Sequence, residues 1–600
     1  MDTKRLILAI ALSIIVISVY QYFLGPKPPV SGPVELDRSA APGETAQASP
    51  DGAAAVPAER EARRNGDVSS LFAREKKEDP TDPEKNPLPQ VEADIRGGVE
   101  RDVVVENDLF SAVFTSRGAA LKSLVLKNYM DDEKKPLDLV ARSADRFSIY
   151  PFHFEPFSGD EMFRRLNNEI YRVSNPAPVR VGAEGHEVVF EFAETAAGIF
   201  VRKTFRFQPD TFVIDLDIQV VRNGKILDVP LVFGPDLENE RDPDRAMQAG
   251  LKIGAYDGSD ITSVVFAKEK ALPTTDNPKI ETAQGVLNGH YYWTAYETTY
   301  FAAIFDTSSK DSEVRWNLIR DRSDKEQPIL YAYMTVVNPG PVYMGPKDEE
   351  ILAGITDRFY HANKVIEYGW FGSIAKIMLK GINLVHGFVP NYGWAIVIFT
   401  FFLKLVLFPL TYSSSVSMAK MQTLQPKIKA IKKKYRNPKD PEQRQKMNVE
   451  MMALYKQEKV NPAGGCLPML LQLPILWGLF RLLAVSISVR HEPWILWIRD
   501  LSLKDPYYVL PILMGVTQII LQKMTPSTGE GMQKKMMYIM PVVITIFVAN
   551  LPSGLTLYWA VSNVLQLGQQ RFINKSIYAR KKEEEHQQKA LKRRKGTKKK

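Results

Sequence analysis

The stretch Gly393–Tyr412 reads GWAIVIFTFFLKLVLFPLTY. About 20 apolar residues at 1.5 Å per residue cover the roughly 30 Å hydrocarbon core of a bilayer. Lys404 lies near the middle of the stretch, where a lysine facing lipid costs roughly 2.5–3.5 kcal/mol, and Thr400 lies one helical turn earlier on the same face. The pattern predicts a membrane-spanning helix whose lysine faces a wet, positively charged cavity. Snorkelling of the lysine to an interface is the alternative.

The composition excludes several classes of function. The chain of 600 residues has a formal net charge of +9 and one cysteine, Cys466, so an internal disulfide framework and a thiolate metal cluster are excluded. The seven histidines show no metal-ligand spacing, and no nucleotide-binding or hydrolase motif occurs. We therefore expect a protein that is not an enzyme, with no catalytic residue, no metal and no cofactor.

The N-terminal segment combines an apolar run with a polar linker. The basic N-terminus 1–5 precedes the apolar run 6–24, which predicts transmembrane helix 1 as an uncleaved signal anchor with a cytoplasmic N-terminus. Residues 25–93 are rich in Pro, Ala, Gly and charged residues and lack apolar periodicity. Such a composition predicts a disordered linker, here on the periplasmic side.

The region 94–354 has the composition of a folded β domain. The segment Phe205–Phe207 leads through a turn into Phe212–Val220, in which alternate residues are apolar, and this predicts an antiparallel hairpin with one buried face. We expect a periplasmic, all-β, sandwich-like domain. A structural or docking role is preferred to a cleft for a sugar or a peptide.

Two amphipathic segments flank the Lys404 run. Residues 366–390 predict an interfacial helix along the outer membrane surface. Residues 413–465 predict a basic cytoplasmic helical hairpin around the turn Asn437–Pro441. Its methionines are either core filling or a soft surface for apolar segments, and its lysines suit anionic lipid or ribosomal RNA.

Charge in the connecting segments predicts the topology. Transmembrane helix 2 is 393–412, and four further apolar runs predict helices 3 to 6 at 466–488, 507–524, 536–551 and 553–572. Between and after them lie the predicted periplasmic loop 489–506, the cytoplasmic loop 525–535 and the basic cytoplasmic tail 573–600. The positive-inside rule then predicts six spans with both termini cytoplasmic.

The predicted spans carry more polar groups than contact with lipid explains. Besides Lys404 and Thr400, the polar or amphipathic residues are Gln472, Trp559, Ser562, Asn563 and Gln566. Trp559, Ser562, Asn563 and Gln566 share a face of the last predicted span, and we expect all seven residues, with Lys404, Thr400, Gln472, Trp559 and Ser562 as the binding site, to line one cavity open toward the cytoplasm. Ordinary interhelical hydrogen bonding is the better explanation for any single one of them, whereas the lysine favours a hydrated groove for the group.

Four strings carry a resemblance to a known family. They are SMAKMQTLQPKIKAIKKKY (417–435), MMALYKQEKVNPAGGCLPMLLQLPI (451–475), DPYYVLPILMGVTQ (505–518) and LPSGLTLYWAVSN (551–563). The chain closely resembles the YidC-type membrane protein insertases of Gram-negative bacteria from about residue 367 to 575, and more loosely in the β region. The resemblance implies a multi-pass α-helical membrane protein of six spans, with a five-helix insertase core, a periplasmic all-β supersandwich-like domain and a cytoplasmic helical hairpin.

The resemblance also implies a site and a set of partners. By this resemblance, Lys404 corresponds to the positive side chain of the family's hydrophilic groove, Thr400 to a nearby threonine and Trp559 to an aromatic contact. Many members have arginine where this chain has Lys404 and tyrosine where it has Trp559. A desolvated lysine can lose its proton, so lysine in place of arginine requires a wet groove. The expected partners are nascent integral membrane proteins, the Sec translocon, the ribosome and anionic phospholipid, and not DNA. The expected location is the bacterial inner membrane.

Two other classes of function compete with insertion. A secondary transporter would use Lys404 as an anion or proton site, but the sequence has no inverted repeat and no carboxylate within its predicted spans. A membrane enzyme would act through the β domain, where no convergent set of Asp, Glu or His residues can be assigned.

Overall fold

The structure, a computed structural model, describes residues 93–597 apart from 132, 142, 158, 238–250, 266–279, 309–311, 322–328, 436–440, 459, 461–466 and 526–531. The predicted N-terminus, signal anchor and nearly all of the predicted linker therefore lie outside the described residues. Cys466 and the centre of the predicted hairpin turn also lie outside them.

The first part of the described chain is a β domain, as predicted. Its strands are β1 Asp102–Glu106, β2 Phe110–Thr115, β3 Ala120–Met130, β4 Pro136–Asp138, β5 Arg172–Val173, β6 Val179–Arg180, β7 His186–Glu194, β8 Ile199–Phe207, β9 Val213–Arg222, β10 Lys225–Ile226, β11 Pro230–Phe233, β12 Lys252–Tyr256, β13 Ile261–Val265, β14 Ile280–Gly289, β15 Trp293–Glu297, β16 Phe301–Asp306, β17 Ser312–Asp321, β18 Ile329–Val337 and β19 Val342–Pro346. Three short helices accompany them: α1 Ser143–Phe147, α2 Glu161–Leu166 and α3 Glu349–Gly354.

Three sheets build the domain. A ten-stranded sheet has the order β13-β12-β15-β16-β19-β9-β8-β7-β5, with β10 beside β9. A five-stranded sheet runs β4-β3-β2-β1-β6 and a four-stranded sheet runs β11-β18-β17-β14. The predicted hairpin is confirmed, because β8 and β9 pair antiparallel from Ile199↔Arg222 to Phe207↔Ile214. Alternation of apolar residues thus puts Ile214 and Val220 in the core.

The remainder of the described chain is helical. Its helices are α4 Gly372–His386, α5 Tyr392–Val406, α6 Phe408–Thr423, α7 Gln425–Lys434, α8 Pro441–Gln457, α9 Leu467–Val485, α10 Val509–Met524, α11 Met532–Val548 and α12 Ser553–Thr597, with short 3-10 turns at Ala362–Val365 and Ile487–Val489. Helix α12 packs against α5, α6, α9 and α10 and is the centre of the bundle.

The prediction of a single helix over Gly393–Tyr412 is wrong. Helix α5 ends at Val406, α6 begins at Phe408, and the two axes differ by 56°. Pro409 causes the break, because it has no backbone N–H and its ring clashes with the preceding turn in a helix interior, whereas it fits the first turn of a new helix. Helix α6 then continues to Thr423, across the predicted boundary between span and hairpin.

Other helix bounds also depart from the sequence prediction. Helix α12 does not end near residue 572 but continues through the basic tail to Thr597. A second break at Leu424 precedes α7, again with a proline in its first turn. The apolar residues expected at helical spacing pack together, since Met421, Leu424 and Ile428 form a small core with residues of α8 and with Val460.

Length and hydropathy alone identify few spans. Among the described residues, no single helix satisfies both requirements for crossing a bilayer, although α5 and α6 satisfy them as a bent pair. Leu471–Val485, Val509–Met524 and Tyr538–Val548 are shorter apolar helical segments. The number of spans therefore stays a prediction.

The β domain contacts the helical part through a charged joint. Lys252 of β12 forms ion pairs with Glu297 at 3.2 Å and with Glu367 at 2.6 Å. The backbone carbonyl of Glu367 accepts a hydrogen bond from Arg481 of α9 at 2.6 Å. The guanidinium of Arg490 lies 4.9 Å from the ring centre of Tyr300. One end of the helical bundle is thereby attached to the domain.

Candidate functional site

Lys404 lies in the last turn of α5 and faces α12. Its side chain is buried, with 8% of the residue exposed, and its Nζ donates a hydrogen bond to Oε1 of Gln566 at 3.1 Å. Within the described ranges, no carboxylate forms an ion pair with it. An ammonium has three N–H donors, so a neutral amide that occupies one of them leaves two for another ligand.

A second glutamine of α12 holds the backbone of the same residue. Gln569 donates from Nε2 to the carbonyl oxygen of Lys404 at 3.0 Å. The last carbonyls of a helix lack intrahelical partners, and the break at Leu407 puts Lys404 in that position. Gln566 and Gln569 are three residues apart and therefore share a face of α12. Together they hold Lys404 at both its side chain and its main chain.

Hydrogen bonds continue along α12 beyond the helix break. Ser415 of α6 donates to Oε1 of Gln570 at 3.5 Å, and the hydroxyls of Tyr412 and Ser576 lie 3.1 Å apart. We call the set Lys404, Tyr412, Ser415, Gln566, Gln569, Gln570 and Ser576 the polar seam. It joins both halves of the bent helix pair to α12.

The other residues predicted for the site are not joined to Lys404 by hydrogen bonds among the described residues. Thr400 is fully buried and donates to the carbonyl of Ile396 in its own helix at 2.6 Å. Ser562 is fully buried, whereas Gln472 and Trp559 are half-buried. The helix of Gln472, α9, does contact both α6 and α12.

The predicted polar face of the last helix is divided between two neighbours. Asn563 faces α10, where its Nδ2 lies 3.2 Å from the carbonyl oxygen of Met514, while Gln566 faces α5. Several buried side-chain polar atoms have no hydrogen-bond partner in the described part of the chain, and those on α10 and α12 are Gln518 Oε1, Ser562 Oγ and Gln569 Oε1. A buried polar atom without a partner costs free energy unless water or a ligand satisfies it, so each of these three atoms can accept a hydrogen bond from water or from a polar ligand.

Sequence reasoning missed Gln518 and Gln569. Gln569 was detectable, because Gln566, Gln569 and Gln570 recur at the spacing of one helical face. Gln518 has no such signal, and only the packing of α10 against α12 marks it. No group of three or more His, Cys, Asp or Glu suited to a metal ion occurs within the described ranges.

The end of the bundle nearest the β domain is closed by a packed loop. Ser553, at the start of α12, bonds from its backbone N–H to the carbonyl of Leu503 and from its hydroxyl to the carbonyl of Asp500, and Leu501 beside it is fully buried. The Trp494 ring packs on Gly393 so closely that a Cβ at this glycine would lie 2.2 Å from Trp494 Cδ1. The polar seam lies toward the opposite end.

Comparison with known proteins gives the same division of the chain. The family model described as YidC periplasmic domain matches residues 102–380, and the model described as 60Kd inner membrane protein matches residues 384–582. The membrane protein insertase YidC of Geobacter sp. (strain M21) is 38% identical, over 80% of this chain and 86% of its own length. This chain belongs to the YidC family of membrane protein insertases.

One further relative and one solved structure match most of the chain. The membrane protein insertase YidC of Geotalea daltonii is 33% identical, over 96% of this chain and all of its own length. A solved structure of an active YidC insertase with its first transmembrane domain resolved is 18% identical, with a TM-score of 0.32 over 80% of this chain and 93% of that one. Membership in the YidC family confirms the resemblance inferred from the four strings, and it identifies the β domain as periplasmic and the protein as one of the inner membrane.

Proposed function

We propose that this chain inserts nascent integral membrane proteins into the inner membrane by capturing a polar or acidic segment of the client at Lys404. The observation that carries the proposal is a buried ammonium between α5 and α12 whose partner among the described residues is the neutral side chain of Gln566. A cation without a paired carboxylate attracts a negatively charged or strongly polar ligand. We propose that Gln472, Trp559 and Ser562, together with Thr400, line the path to it.

The magnitude of the attraction suits a transient capture. Two unit charges 4 Å apart attract by about 4 kcal/mol at an effective dielectric constant of 20. That gain is comparable to the roughly 2.5–3.5 kcal/mol cost of a charged residue at the centre of a membrane helix. Capture therefore removes most of the barrier for one acidic residue and still allows release. The apolar helix of the client then moves into lipid, driven by burial of apolar surface and by the membrane potential.

The closed end of the bundle supports entry from one side. The packed loop that contains Leu501 and Ser553 seals the end next to the periplasmic domain, so the client would enter from the cytoplasm and leave sideways. Exposed apolar residues of α10 and α11, such as Ile512 and Phe547, form surfaces suited to lipid. We propose the six-span topology with both termini cytoplasmic on the basis of the charge distribution along the chain.

Two further surfaces suit partners at the membrane. Helix α4 and the residues just after it expose Ile377, Leu384 and Phe388, the last with 82% of its area accessible, which supports an interfacial position on the outer leaflet. Helix α7 ends in three consecutive lysines and α12 continues into the basic tail. We propose that these basic segments bind the ribosome and anionic phospholipid. Cooperation with the Sec translocon is proposed from family membership.

The test replaces Lys404 and follows insertion directly. Cells depleted of their native insertase receive the native chain, Lys404→Arg, Lys404→Met or Lys404→Glu, and growth and protease-protected insertion of a single-span client are measured. We expect Lys404→Arg to keep function and Lys404→Glu to lose it. Normal insertion with Lys404→Glu at native protein levels would refute capture by charge.

A crosslinking experiment separates insertion from transport. A photoreactive residue at Gln472, which is half-buried, is combined with ribosome-stalled clients of increasing length. We expect crosslinks at intermediate lengths that disappear when the client enters lipid. If crosslinks are absent at all lengths and proteoliposomes move a solute in a manner that depends on Lys404, the protein is a transporter.

A further inference from the structure

The acceptor of the Lys404 ammonium is chemically unusual for a buried cation. Buried charges are ordinarily paired with an opposite charge, yet here the acceptor is the amide oxygen of Gln566 at 3.1 Å. A glutamate at the same position would have nearly the same size and would add the Coulomb attraction of an opposite charge. The neutral side chain therefore holds the ammonium without neutralising it.

The second hydrogen bond fixes where the ammonium is presented. Gln569 bonds the carbonyl of Lys404 at the break between α5 and α6, so the main chain of Lys404 keeps a constant position relative to α12. Rotation of the lysine side chain alone then decides whether Nζ meets Gln566 or an incoming group. Oε1 of Gln569 is buried and has no hydrogen-bond partner among the described residues, and Gln569 lies one helical turn from Gln566.

We infer that Gln566 is a positioning residue that holds Lys404 against α12 in the resting state and that its lack of charge determines the preference for clients with acidic segments. The inference rests on the proposed capture by Lys404. A carboxylate of the client displaces the amide because it adds the attraction between opposite charges to the hydrogen bond. A neutral client segment does not displace it and depends less on Lys404.

The test compares two changes at Gln566 with clients that differ only in charge. Inverted membrane vesicles containing each variant receive single-span clients whose translocated segment carries no aspartate, one aspartate or three aspartates. Gln566→Glu is expected to lower insertion of the three-aspartate client roughly five- to tenfold, because an internal carboxylate now occupies the ammonium, and to leave the client without aspartate within about twofold. Gln566→Met removes the acceptor without adding a charge and is expected to keep the preference for the acidic client.

A matched control is available one turn along the same helix. Gln570→Glu introduces the same charge next to Ser415 and Asn574 rather than next to Lys404. It is expected to change insertion of all three clients by the same factor. If Gln566→Glu and Gln566→Met impair all clients equally, Gln566 is only a structural residue and the inference is wrong.

The same experiment distinguishes failure of the inference from failure of the proposed function. If Lys404→Met inserts the acidic client as the native chain does, capture by Lys404 is wrong, and the inference falls with it. If Lys404→Met inserts the three clients equally well while Gln566→Glu still inserts the aspartate-containing clients better, capture by Lys404 stands and only the role of Gln566 is refuted.

Discussion

Replacing Glu297 by glutamine tests the charged joint between the β domain and the helical part. Glu297 is 1% exposed; its Oε2 accepts a hydrogen bond from Lys347 at 2.5 Å, and its Oε1 forms an ion pair with Lys252 at 3.2 Å. Removing one partner of a buried ion pair costs roughly 3–5 kcal/mol, because the other charge stays buried. Lys252 keeps its ion pair with Glu367, and Lys347 keeps its hydrogen bond to the carbonyl of Thr298 at 3.1 Å. Because both ammonium groups keep an acceptor, we expect a loss of about 3 kcal/mol, near the lower end of that range.

The effect should depend on pH in a defined direction. Burial alone would raise the pKa of Glu297, but the ammonium groups of Lys347 and Lys252 outweigh burial and lower it. A carboxyl with a lowered folded-state pKa stabilises the protein above its unfolded pKa of about 4.3, and this stability is lost as the pH falls through the folded value. The native chain and Glu297→Gln should thus differ most at neutral pH and converge in acid.

The assay is urea unfolding of the detergent-solubilised chain, with the intact β domain quantified after a short proteolysis pulse at a common pH. The double variant Glu297→Gln/Lys347→Met is the control. It also removes the Lys347 ammonium, which Glu297→Gln leaves buried without a carboxylate, and it should therefore recover part of the lost stability. A loss below about 1 kcal/mol at neutral pH, or the same loss at pH 7 and in acid, would refute the reasoning.

Two further predictions follow from individual contacts. Lys203 is fully buried and donates hydrogen bonds to the carbonyls of Gly118 and Phe152, and burial lowers its pKa well below the usual value. The unfolding free energy of the β domain should therefore rise with pH, by up to about 1.4 kcal/mol per pH unit, between the folded-state pKa and about 10.4. Urea titrations at several pH values should show this rise for the native chain and not for Lys203→Met. Gly393→Val forces a side chain into the Trp494 ring and should lower the free energy of unfolding in detergent by roughly 1–3 kcal/mol. Gly568→Ala should not destabilise the protein, because no atom lies within 4 Å of the added Cβ. Equal effects of the two changes would contradict the packing argument.

Local pattern was sufficient for much of the architecture. The alternation in Phe212–Val220 predicted a strand with one buried face because side chains alternate across a strand, whatever lies beside it. The apolar run around Lys404 predicted a helix that needs a polar environment at one point, for equally local reasons. The same reasoning failed at Pro409, because length and hydropathy were given more weight than a residue that is unfavourable inside a helix.

The sequence by itself determined the β domain, the apolar helices, the basic segments and the presence of a cation in an apolar run. Only the tertiary structure decided that Lys404 meets Gln566 and Gln569, that Asn563 faces α10 instead, and that Thr400 bonds its own helix. The physical reason is that periodicity depends on neighbours along the chain, whereas the partner of a buried polar group depends on helix rotation and on the bend at Leu407. Lys404 and Gln566 are 162 positions apart, and their contact leaves no periodic trace in the sequence.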